Sequence, residues 1–218
     1  MRKVLFATPA YDGRVSVEYA FCMLETVRLA RENNMAIYPV FIPHDALIQR
    51  ARNEFVSMAL SAECDDLIFM DGDQEWGPSG IIRLLEHPVD VVGCAVPKKS
   101  EDLNFNVCKI EGETINEQGL LAVKSVGTGC LRISRKALTL LWEASEPYAT
   151  GAVSGRMLFE VKVIDGELYS EDSVFCAKWR NFGGEVYVDT EMTCSHIGTK
   201  KFDADFKKFY ARILSLSQ

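Results

Sequence analysis

The chain has 218 residues, 48% hydrophobic and 25% charged, which is enough apolar material for a packed core and excludes a disordered chain. A formal net charge of −7 argues against a protein that grips nucleic acid mainly by neutralising phosphates, although Arg50 with Arg52, Lys98 with Lys99 and Lys200 with Lys201 form local basic pairs. The seven cysteines include no C-x-x-C pair, no apolar run is long enough to span a membrane, and the opening residues read as a strand rather than a leader, so a cytoplasmic protein with reduced thiols is expected.

In chain order, residues 3–7 form an apolar, β-favouring run broken by Thr8-Pro9-Ala10-Tyr11-Asp12-Gly13, a strand feeding a loop. Residues 15–33 carry apolar side chains at helical spacing, with Ser16 placed to cap the start. A second strand follows over 35–42, and Pro39 within it marks a sheet edge. Asp45 precedes a helix over 46–62, and residues 66–70 form a third strand ending at Asp71-Gly72-Asp73. A helix over 80–86 and a strand over 89–96 complete the first half. These strands are continuous apolar runs separated by helices, the pattern of a parallel sheet covered on both faces. The second half reads as a hairpin over 105–110 and 120–126, a strand over 131–134, a helix over 135–145, a strand over 157–163, a helix over 171–181 and a last strand over 185–189. The fold class expected is therefore α/β: a Rossmann-like, doubly wound, mostly parallel sheet with a smaller mixed or antiparallel C-terminal part.

Asp71-Gly72-Asp73 is the centre of the chemical reading. Ligands of open α/β sheets bind beyond the carboxyl ends of the strands, and residues two apart in extended chain point to one side. Two carboxylates brought together in this way favour a hard divalent cation. A surface Asp-Gly turn is the competing reading. An EF-hand is excluded, because Trp76 and Ile82 stand where that loop needs Gly and Glu. Glu171-Asp172 opens a helix, where acids also suit the helix dipole. His196, in Ser195-His196-Ile197-Gly198, reads either as structural or as a ligand to metal or phosphate.

Taken in order, these segments resemble GT-A glycosyltransferases, particularly the small stand-alone ones of phages, viruses and bacteria. The matching pieces are the opening loop Thr8 to Asp12, Arg50-Ala51-Arg52-Asn53 on a helix, the D-x-D of Asp71-Gly72-Asp73, the glycine-bearing segment from Val126 through Gly127 and Gly129 to Arg135, the Glu171-Asp172 pair and His196. The resemblance covers about residues 3–200 and implies one GT-A-like domain over 1–218: a nucleotide-binding half to about 100, an acceptor-side half to about 200, and a C-terminal helix or tail over 201–218.

It further implies a nucleotide-sugar donor with Mn²⁺ or Mg²⁺ as cofactor. Asp73 and His196 would hold the metal, with Asp71 sharing it or taking the ribose. Thr8, Pro9, Ala10, Tyr11, Asp12, Arg52, Asn53 and Gly72 would line the nucleotide site, with Arg52 on the base or a phosphate. Gln74, Trp76 and Gly129 would touch the sugar or acceptor, Trp76 offering a flat face unless it packs in the core. Asp172 is the candidate catalytic carboxylate, taking the acceptor hydroxyl proton in an inverting enzyme, and Glu171 is its reserve. The acceptor is left open among a glycan, a protein and a modified DNA base. The polar stretches at 98–102 and Thr199-Lys200-Lys201 read as lids or as plain surface. The alternatives are a nucleotidyltransferase, whose triphosphate loop would have only Gly13 and Arg14, and a non-catalytic nucleotide- or sugar-binding module. No G-x-S-x-G, P-loop or H-E-x-x-H supports a hydrolase.

Overall fold

The computed structural model describes residues 1–150, 153–198, 201 and 203–216. The first half runs β1 (Arg2–Ala10), α1 (Val17–Glu32), β2 (Met35–Pro43), α2 (Ile48–Ser61), β3 (Asp66–Met70), β4 (Gln74–Trp76), α3 (Pro78–Glu86) and β5 (Val91–Cys94). The second half runs β6 (Val107–Lys109), β7 (Leu120–Val126), β8 (Cys130–Ser134), α4 (Arg135–Ala144), β9 (Pro147–Thr150), β10 (Val153–Arg156), β11 (Lys162–Ile164), β12 (Glu167–Tyr169), α5 (Glu171–Asn181), β13 (Val186–Asp189), β14 (Cys194–His196) and α6 (Phe206–Leu216).

Eight strands form the central sheet in the order β2-β1-β3-β8-β5-β13-β7-β6. β1 pairs in parallel with β2 and β3, and β13 pairs in parallel with β5. β8 runs against both of its neighbours, as does β7, so the other six strands share one direction. The sheet is thus mostly parallel, and its reversed strands come from the second half of the chain.

The continuous apolar strands have a simple cause. Successive side chains point to opposite faces, and both faces are covered. Leu5, Leu67, Phe69 and Ile133 pack with α2, α4, α5 and α6 on one side. Val4, Phe6, Ile68 and Met70 pack with α1 and α3 on the other. Ser16 caps α1 by accepting the Tyr19 N–H at 3.0 Å, as its position predicts. β2 lies at the sheet edge, as Pro39 predicts. All seven cysteines are unpaired, and every one except Cys108 is buried. No helix among the described residues is long and apolar enough to cross a membrane.

Two expectations change. Residues 157–163 do not form one strand: β10 ends at Arg156 and β11 begins at Lys162. Between them Leu158 and Phe159 are fully buried, and both of their N–H groups are taken by the Asn53 side chain instead of a ladder. Helix α2 starts later than expected, and Leu47 stands at its cap. Asp45 folds back on the Leu47 N–H at 2.9 Å and pairs with Arg50. Of the suggested lids, Thr199 and Lys200 lie outside the described residues.

Candidate functional site

The segment after β3 is fixed by its backbone. Asp71 N–H donates to the Gly129 carbonyl at 3.0 Å, the Gly72 carbonyl accepts from Ser16 at 2.8 Å, and the Asp73 carbonyl accepts from Ile197 at 2.7 Å. Three distant parts of the chain therefore meet on three consecutive residues. A Cβ on Gly72 would stand 3.2 Å from the Arg14 carbonyl, so the close approach that this glycine permits is to the chain's own 14–16 loop rather than to a ligand.

Arg52, on α2, is 3% exposed and sits between Asp71 and Glu171. Its Nη2 lies 3.3 Å from Asp71 Oδ1 and its Nε 3.4 Å from Glu171 Oε1, while its guanidinium covers the Phe69 ring at 5.1 Å. Its Nη1 is buried with no hydrogen-bond partner. Leaving such a donor unmet costs about 1–3 kcal/mol, more for a charged group, unless a ligand meets it. Arg52 lines a cavity of about 800 Å³ together with Pro9, Ala10, Tyr11, Asp12, Asp71, Gly72 and Asp73. Arg14, Val15, Ser16, Asp45, Ala46 and Ile48 complete the wall. Of these six, Arg14 was weighed only for a triphosphate loop and Ser16 and Asp45 only as residues at helix starts, and none was predicted to line the nucleotide site.

Asp73, on the same wall, has partners of its own. Its Oδ2 lies 2.5 Å from Lys99 Nζ and 3.3 Å from His196 Nε2. The short antiparallel pair β4–β14 sets this up by placing His196 opposite Gln74. The other ring nitrogen of His196 lies 3.0 Å from the Pro97 carbonyl. Burial by itself would raise the Asp73 carboxyl, but the hydrogen bonds and charges of His196 and Lys99 reverse this and hold it at about 2. Asp71 and Asp73 thus take different partners, and no three His, Cys, Asp or Glu side chains among the described residues stand together as metal ligands. One carboxylate with one imidazole is a partial set. It would fit an ion that displaces the Lys99 ammonium from Asp73 Oδ2 and takes its remaining ligands from substrate phosphates, as Mg²⁺ commonly does.

A second cavity, of about 210 Å³, lies on the other side of Asp71 and is lined by Gln74, Asn106, Gly127, Gly129 and His196 among others. Gln74 is fully buried, and neither its amide nitrogen nor its amide oxygen has a partner. Asp172, 7% exposed at the start of α5, borders this region through Asn106, whose Nδ2 donates to Asp172 Oδ2 at 3.0 Å. Asp172 Oδ1 accepts from the Ser170 hydroxyl and from the Ser173 N–H at 2.7 Å. Gly127 is what lets the Asn106 side chain pass, since a Cβ there would fall 2.2 Å from Asn106 Nδ2. Sequence reasoning missed Asn106 and gave Lys99 no role of its own: a lone Asn in a loop has no signature, and Lys99 read only as part of a stretch that was either a lid or plain surface.

Three expected ligand contacts are not at either cavity. Thr8 is fully buried and hydrogen-bonded to the Tyr19 hydroxyl. Asn53 is fully buried and binds the backbone of Leu158 and Phe159, with Nδ2 donating to the Phe159 carbonyl at 2.8 Å. Trp76 is 3% exposed, stacked on Phe6 and donating to Thr26 Oγ1 at 3.0 Å, so its flat face is spent on the core. The remaining predicted residues do meet at this end of the sheet.

No protein-family model and no curated protein matches the chain. Among solved structures, A197 from STIV superposes with a TM-score of 0.55 at 18% identity, over 91% of this chain and 86% of that one, and the two share a fold. A glycosyltransferase involved in the glycosylation of the major capsid of PBCV-1 matches at 12% identity and a TM-score of 0.34, over 64% of this chain and 65% of that one. Mannose-1-phosphate geranyltransferase from Thermus thermophilus matches at 11% identity and a TM-score of 0.37, over 67% and 66%. Scores at this level decide neither fold nor function.

Proposed function

We propose that the chain is a metal-assisted glycosyltransferase of the GT-A type, moving a sugar from a nucleotide-sugar donor to a hydroxyl acceptor. The observation that carries this reading is the pair of cavities meeting at Asp71. The larger offers an unpaired guanidinium nitrogen, and the smaller an unpaired amide, with the buried Asp172 one hydrogen bond behind its Asn106 wall.

In this reading Tyr11 and Asp12 frame the base and ribose, and Arg52 Nη1 donates to a phosphate oxygen while its other nitrogens hold Asp71 and Glu171. Asp73 and His196 would hold Mn²⁺ or Mg²⁺, which when bound offsets the charge of the departing nucleoside diphosphate. Asp172 accepts the proton of the acceptor hydroxyl. Each carboxylate oxygen has two lone pairs, so the hydrogen bond from Asn106 leaves Oδ2 one to accept with. Glu171, held by Arg52, is the reserve carboxylate. The acceptor is a glycan, a protein or a modified DNA base.

The test is a thermal-shift screen of nucleoside diphosphates with and without Mn²⁺, repeated on Asp73→Asn. A nucleotide at about 100 times its Kd stabilises by about 2.7 kcal/mol. A Mn²⁺-dependent shift with one nucleotide, lost in the variant, is the expected result. No shift with any nucleotide in folded protein overturns the donor assignment.

A further inference from the structure

The smaller cavity carries more information than its place beside the D-x-D segment. We propose that Gln74 and Asn106 act as a carboxamide pair that selects an uncharged, polyhydroxyl ring in this cavity and turns away an anionic one. This rests on the transferase reading and names the class of group transferred.

Three observations support it. First, Gln74 is fully buried yet both polar atoms of its amide lack a partner, and its Nε2 lies 3.6 Å from where a Cβ on Gly129 would stand, at the cavity wall. A carboxamide offers a donor and an acceptor in one plane, and a pair of neighbouring hydroxyls, each able to give and take a hydrogen bond, complements both. Second, Asn106 lines the same cavity while its Nδ2 is bound to Asp172, so its side chain is held in one orientation, under a glycine that leaves it room. Third, the charge around the cavity is unfavourable to an anion. Asp71 lines it and Asp172 stands behind Asn106. Of the basic groups nearby, Arg52 is paired with Asp71 and Glu171, Lys99 and His196 are paired with Asp73, and Lys98 is exposed at the rim. Cys94, Val96 and Pro97 supply apolar wall for the C–H face of a ring. A site built to hydrogen-bond hydroxyls discriminates strongly, because its buried polar groups go unmet with the wrong ligand.

The experiment measures dissociation constants for the full chain with Mn²⁺, using nucleoside diphosphates, their gluco-, galacto- and manno-hexose conjugates, and the matching glucuronic acid conjugate. The quantity read is the ratio of diphosphate to conjugate Kd. The expected result is a ratio of at least ten for one neutral hexose, a ratio near one for the uronate, and a fall of the hexose ratio to near one in Gln74→Leu. Gly129→Ala, whose added Cβ would stand 3.3 Å from Asp71 Oδ2 and in ordinary contact with Gln74 Nε2 at 3.6 Å, narrows the cavity, lowers the same ratio and serves if Gln74→Leu does not fold. Diphosphate binding with a uronate ratio equal to the hexose ratio, or with a hexose ratio unchanged in the variants, overturns this inference alone. Failure of every nucleoside diphosphate to bind overturns the transferase reading and this inference with it.

Discussion

β3 has an arginine–carboxylate cluster at each end, and the two are built differently. At its amino end Asp66 is fully buried, with Oδ1 2.6 Å from Arg132 and Oδ2 2.5 Å from Arg2. The same guanidinium groups also reach the carbonyls of Leu85 and Val89. At its carboxyl end Asp71 is 34% exposed, its contact with Arg52 is long at 3.3 Å, and one nitrogen of Arg52 has no partner. The chemistry is the same, but the first cluster is closed and the second is not. A closed cluster serves the fold, because every buried polar atom is answered within the chain. An open one is complete only when something else arrives.

That contrast can be broken by measurement. Asp66→Asn leaves the buried guanidinium of Arg132, and the partly exposed one of Arg2, short of charge and is expected to lower unfolding free energy by about 3 kcal/mol. A urea titration showing less than about 1 kcal/mol would mean that this end is not closed in solution. Asn53→Ala removes the acceptor of two buried N–H groups and the donor to the Phe159 carbonyl. It is expected to cost about 2 kcal/mol and to leave nucleotide affinity alone, which marks it as fold and not site. Asp71→Asn should change stability by no more than about 1 kcal/mol, given its exposure and long contacts, yet remove most of any nucleotide-induced thermal shift.

The smallest effect concerns pH. Burial would raise the Asp90 carboxyl, but Lys136 and Ser134 outweigh it and hold the group below the ordinary carboxylate range. A depressed folded value means stability that is present above the unfolded value of about 3.9 and lost as pH falls through the folded one. Asp90→Asn should therefore cost up to about 1 kcal/mol at neutral pH and nothing in strong acid. A difference that grows on acidification would reverse the sign and refute the assignment.

The parts of the molecule that were legible in the sequence are those whose cause is local. Apolar runs gave β1, β3 and β5, Ser16 gave the start of α1, and Pro39 gave the sheet edge. The carboxyl end of β3 was legible as the candidate site because sheet topology puts ligands there. Residues 157–163 misled because an apolar stretch says nothing of where its N–H groups go, and here those of Leu158 and Phe159 go to one side chain far away in the chain. Asn53 misled for the same reason, since a polar residue on a helix beside Arg52 looks like a ligand contact until its partners are seen. The meeting of His196 with Asp73 depends on β4 and β14, each only three residues long and below any periodic signal. Asn106 could not be found at all without the glycine opposite it, although the Gly127-Thr128-Gly129 segment was visible.

The edge strand has a consequence beyond its place in the sheet. Pro39 and Pro43 lie four residues apart in β2, so their missing N–H groups fall on the same side of the strand, and β1 pairs along the whole of the other side. A foreign strand approaching from solvent meets a row with two donors absent, beside the exposed rings of Tyr38 and Phe41, which would otherwise invite it. The two prolines therefore end the sheet chemically as well as geometrically, and they protect the chain against edge-to-edge aggregation at this edge.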